Sequence, residues 1–138
     1  MERRIAKLLS ANDAGETGGH QAGILIPRDE ELLSFFPVLD PTILNPRCHI
    51  RFLDDGGTFW EFAFIYYNNK FFGGTRNEYR LTCMTKFIRQ AGLVQGDELV
   101  LVQEDERYRV TYWRKKKGRG LKNGVLKLGT GWRVVDID

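Results

Sequence analysis

Ser10-Ala-Asn-Asp-Ala-Gly-Glu-Thr-Gly-Gly-His-Gln-Ala-Gly23 gathers small and polar residues and then runs straight into the apolar Ile24-Leu25-Ile26. Such a segment cannot be core. Asn12, Asp13, Glu16, Thr17, His20 and Gln21 carry hydrogen-bond donors and acceptors, while Gly15, Gly18, Gly19 and Gly23 allow close approach of the backbone. Two readings fit: a plain connection between strands, and a recognition arm held out by a rigid scaffold.

A second segment favours the arm. Phe71-Phe-Gly-Gly-Thr-Arg-Asn-Glu-Tyr-Arg80 follows the apolar run from Phe59 to Tyr67 and alternates small with charged residues. Arg76, Asn77, Glu78 and Arg80 are side-chain types that read base edges, and Tyr79 sits within the set. Arginine can give guanine two hydrogen bonds, asparagine can pair with adenine, and glutamate can accept from the cytosine amino group. The competing reading is a charged hairpin tip closed by internal ion pairs. Two such arms in one small chain point to recognition of duplex DNA.

Around the arms the chain reads as mainly β with two short helices. Ile5 to Leu9 and Gly23 to Ile26 are expected strands flanking the first arm, and Arg28 to Phe36 an expected helix after Pro27, with Leu32, Leu33 and Phe36 inward. Cys48 to Leu53 and Thr58 to Tyr67 form a strand pair across Asp54-Asp-Gly-Gly57. Met84, Phe87, Ile88 and Ala91 recur at helical spacing, with Gly92 as the cap. Glu98 to Gln103 and Tyr108 to Arg114 make a further hairpin, and two short strands are expected between Val125 and Asp138. Trp113 and Trp132 read as core or cover.

The two arms also carry a family resemblance. Ser-Ala-Asn-Asp-x-Gly-x-Thr-Gly-Gly-His-Gln at 10–21, Ile-Pro at 26–27 and Tyr-Tyr-Asn-x-x-x-Phe-Gly-x-Thr-Arg-Asn-Glu-x-Arg at 66–80 resemble the N-terminal effector domain of EcoRII-type restriction endonucleases. Beyond Arg80, Phe87, Leu93, Gly96 and Asp97 are similar to the looser pattern of plant B-three transcription-factor domains. The resemblance implies an open DNA-binding pseudobarrel that grips the major groove with its two arms. It implies a non-catalytic effector role in a type IIE enzyme, a nuclease catalytic domain elsewhere in the full-length protein, and a site 5′-CCWGG. A stand-alone transcriptional regulator of the same fold is the alternative. The site residues it supports are Asn12, Asp13, Thr17, His20 and Gln21 in the first arm and Arg76, Asn77, Glu78, Tyr79 and Arg80 in the second. His20 can read a base or staple its own loop. Leu25, Gly74 and Tyr79 depart from the pattern, standing where tyrosine or basic residues are expected.

Length and composition suit one domain over residues 1–138, with 42% hydrophobic residues for a core. The formal net charge of +3 is mild, yet Arg114, Lys115, Lys116, Lys117, Arg119 and Lys122 follow one another with no acid between them, so the rest of the chain is net negative. This basic, glycine-rich stretch over about 114–124 reads either as a solvated linker or as a phosphate contact. No signal peptide or membrane segment is visible, and a cytoplasmic protein is expected. Cys48 and Cys83 lack metal-ligand spacing and read as reduced, mostly buried thiols, so no metal or cofactor is expected. A magnesium-dependent nuclease needs clustered carboxylates with a nearby lysine. Asp54 or Asp55 with Glu61 comes closest, and without that lysine the chain is not expected to be an enzyme.

Overall fold

In the computed structural model, which describes residues 2–16, 23–115 and 130–135, eight strands form one curled sheet. In chain order these are β1 (Glu2–Leu8), β2 (Ile24–Ile26), β3 (Arg47–Leu53), β4 (Phe59–Tyr67), β5 (Glu78–Thr82), β6 (Glu98–Glu104), β7 (Arg107–Trp113) and β8 (Trp132–Val134). Their spatial order is β2-β5-β4-β3-β7-β6-β1-β8, antiparallel throughout except where β3 meets β7. The two ends of the sheet face each other. No ladder joins β2 to β8; instead the buried Trp132 indole donates to the Leu25 carbonyl at 2.9 Å. The fold is therefore an open pseudobarrel, closed at its seam by a side chain.

Alternation explains the interior. On β4, Phe62, Phe64 and Tyr66 point inward with Phe52 of β3 and Leu81 of β5, and aromatic rings fill the middle: Phe36 stacks on Phe64 at 4.4 Å, and Phe52 lies 5.1 Å from Phe62. Each such ring removes a large apolar area from water at about 25 cal/mol per Å². β6 is buried on both faces. Val100 and Val102 are buried as fully as Leu99 and Leu101, because Ala6 and Val135 gather over them in a second, smaller cluster on the outer face.

The first helix, α1, is shorter than the sequence suggests, spanning Glu30–Leu33 rather than 28–36. Asp29, not Pro27, starts it: its carboxylate accepts from the Glu31 and Leu32 amides. The chain then tightens into three-residue turns that bury Phe35 and Phe36. Helix α2 (Thr85–Ala91) ends as expected at Gly92, whose φ of 66° suits a left-handed cap. It lays Phe87 edge-on against Trp60 and Phe62. β1 begins three residues earlier than expected because it pairs with β6 along its whole length, from Glu2↔Glu104 to Leu8↔Glu98. Of the two expected C-terminal strands, Trp132–Val134 is present and Val125 to Leu128 lies outside the described residues. Cys48 is half-buried, whereas Cys83 is exposed because it occupies a tight turn with φ 65° rather than the core.

Candidate nucleic-acid interface

The first arm leaves β1 through a braced root. Asp13 Oδ2 accepts from Lys7 Nζ at 2.9 Å and from the Ser10 amide at 3.1 Å, and Ser10 Oγ in turn accepts from the Asp13 amide at 3.0 Å. Both charged side chains are almost buried. Asp13 is thus placed as a brace, its carboxylate turned toward Lys7. Glu16 ties the next turn to the Gln95 amide, and Asn12 stands exposed between them. Thr17, His20 and Gln21 lie outside the described residues.

The chain returns at Gly23 under tight constraint. Its φ is +88°, and a Cβ there would meet the Leu81 carbonyl at 2.5 Å, so only glycine fits without moving β5. Its carbonyl accepts from Arg80 Nη1 at 3.1 Å, which ties the end of the first arm to the strand that follows the second.

The second arm is narrower than its sequence suggests, since Glu78, Tyr79 and Arg80 belong to β5. What projects is the connection from Asn68 to Asn77, beginning with a 3-10 turn over Asn69–Phe72. Two asparagines hold it. Asn68, fully buried, grips the 41–45 loop by donating to the Ile43 carbonyl at 2.8 Å and accepting from the Asn45 amide at 2.7 Å. Asn69 accepts the Arg76 amide at 2.6 Å through its side chain. The absence of a side chain at Gly74 now has a reason: a Cβ there would lie 2.7 Å from the Asn69 carboxamide carbon.

On this frame the charged residues form a fork. Glu78 Oε1 accepts from Arg76 Nε at 2.8 Å and Oε2 from Arg80 at 3.1 Å, while the Arg76 guanidinium lies over the Tyr67 ring, 3.9 Å from its centre. Desolvation pushes the Glu78 carboxyl upward, but the hydrogen bonds and charges of Arg76 and Arg80 together outweigh it and hold its pKa below the usual carboxylate range. Strand parity sorts the rest. Glu78 and Arg80 stand on the outer face of the sheet, in register with Tyr67 and Ile65. Tyr79 faces the other way, stacked at 4.2 Å on Tyr66, where burial raises its phenol pKa first, the neighbouring Tyr66 adding to the effect. Asn77 accepts from the Tyr66 hydroxyl at 2.6 Å. The fork thus joins Arg76, Glu78 and Arg80, with Asn77 beside it and Tyr79 behind.

Of the carboxylates nearest in spacing to a nuclease set, Asp54 and Asp55 are engaged in hydrogen bonds within the fold. Asp54 accepts from the Trp60 indole at 2.8 Å and from the Thr58 and Gly56 amides, and those bonds, the indole's first, lower its pKa. Asp55 accepts from the Thr111 hydroxyl. The basic run begins with two exposed residues bonded to the fold. Arg114 donates to the Gly92 and Ala91 carbonyls at the C-terminus of α2, and Lys115 binds Asp97 through its amide and the Gln95 carbonyl through Nζ. Its remaining cations lie outside the described residues.

Sequence reasoning missed the braces, Lys7, Asn68 and Asn69, which show themselves only through the bonds they make in the folded chain. Residues 3–95 match the family described as "Restriction endonuclease EcoRII, N-terminal". The type II restriction enzyme EcoRII of Escherichia coli is 46% identical over 83 residues, covering 55% of this chain and 19% of that protein. The chain thus spans about a fifth of the length of this relative, and the family match over residues 3–95 takes in the sequence of both arms. On these grounds the chain belongs to the EcoRII N-terminal restriction endonuclease family.

Proposed function

We propose that this chain is a non-catalytic effector domain that binds duplex DNA sequence-specifically, inserting its two arms into the major groove. The observation that carries this reading is the fork. A carboxylate that holds two arginines side by side on an outer sheet face, one of them stacked on tyrosine, presents guanidinium edges without the entropy loss of ordering them on contact. Only Nε of the Arg76 guanidinium is committed to Glu78. Its terminal nitrogens suit guanine O6 and N7, and the spare lone pairs of Glu78 suit a cytosine amino group.

In the full-length protein the domain partners a separate nuclease catalytic domain, and the site it reads is 5′-CCWGG. His20 and Gln21, with Thr17, extend the reading surface from the first arm. Selection of preferred sites from randomised duplexes tests this directly. Enrichment of CCWGG supports it; binding of every duplex with equal affinity sinks it.

A further inference from the structure

Four strands of the outer face line up in one cross-strand row, Leu25, Arg80, Ile65 and Arg47, from β2 through β5 and β4 to β3. The far end of the same row supplies a cation. Arg47 is exposed, its guanidinium making one long bond of 3.4 Å to the Asn45 carbonyl. His49 and Arg51 follow on the same face of β3, both exposed, with Arg51 laid over the exposed Phe59 ring at 4.2 Å. Glu61 is the acid facing this strip, in register with Arg51.

From this arrangement we propose that the outer face of β3, led by Arg47 and extended by His49 and Arg51, is a phosphate-contact strip for the DNA strand flanking the bases read by the fork. The inference rests on the proposed DNA-binding function. Strands in a sheet lie about 4.8 Å apart, so Arg47 stands roughly 10 Å from Arg80. That distance is comparable to the major-groove width of about 12 Å, so base edges read beside Arg80 bring a phosphate backbone over β3. Phosphate contact needs positive charge and reach but no fixed register, which suits the long Arg47 side chain and the stacked Arg51.

The test measures binding of a preferred duplex and a random duplex by the whole chain at several salt concentrations. Variants Arg47→Ala and Arg47→Ala/Arg51→Ala are compared with Arg89→Ala, an exposed arginine on α2 away from the strip. Each lost phosphate contact should flatten the plot of log affinity against log salt by about 0.9, equivalent to roughly 3.5-fold less weakening between 50 and 200 mM salt. Affinity at low salt should fall together on both duplexes, with their ratio kept, and Arg89→Ala should leave the slope alone. An unchanged slope in the double variant overturns the strip, as does a loss confined to the preferred duplex, which would make Arg47 a base reader. If the double variant kept its slope but lost binding to a separately supplied nuclease domain, the strip would be a protein contact instead. Failure of the parent chain to bind any duplex would sink the DNA-binding reading itself.

Discussion

Within the fork, each residue has a separable job. Arg76→Ala should cost about 1–3 kcal/mol on the preferred site and much less on random duplex, which a gel shift with both probes resolves; equal losses would make Arg76 a phosphate contact. Glu78 is tested through pH. Because its folded pKa is depressed, its contribution to stability is fully present above the unfolded value of about 4.3 and is lost as pH falls below that through the folded pKa. Thermal melts between about pH 6 and 3 should therefore show Glu78→Gln losing less stability on acidification than the parent chain. At the first arm, Asp13→Asn leaves the nearly buried Lys7 ammonium without its counter-charge and should destabilise the free domain by about 3 kcal/mol. The side-chain types of the fork were legible in the sequence, since arginine and glutamate in alternation read as recognition chemistry. Their mutual bonding was not, because two residues apart on a strand share a face only once the strand itself is known.

At the scale of elements, what matters is how the arms are held. Gly23→Ala places a methyl against backbone of β5 at a positive φ and should cost well over about 1 kcal/mol, lowering the melting temperature before any duplex is added. Gly74→Ala behaves differently. It displaces only the Asn69 carboxamide, so the free domain should melt nearly as before while specific binding falls, the arm having lost its grip on the Arg76 amide. The reverse pattern would show that Asn69 braces the core instead of the arm. The strands β3 and β4 and helix α2 could be read in advance because alternation, the Asp55-Gly56 turn and the Gly92 cap act locally, and β6 and β7 because their apolar and β-branched residues flank a short polar turn. β5 was hidden inside an apparent arm because charged residues occupy its outer face, and α1 was overdrawn because its inward rings belong to the turns after it.

At the scale of the whole molecule, the proposed function sets reading apart from cutting. With Asp54 and Asp55 engaged in the β3–β4 hairpin and its neighbour, magnesium added to the bound chain should leave duplex intact on a denaturing gel. Cleavage that copurifies with the chain and responds to substitutions within it would reverse that assignment. The seam between β2 and β8 bears on a different property. Both are terminal strands of the sheet, three residues long, and unpaired strand edges are templates on which another copy can add. The Trp132 indole occupies the outward Leu25 carbonyl that an incoming strand would need. One aromatic residue thereby serves as a guard against edge-to-edge polymerisation, keeping the sheet finite.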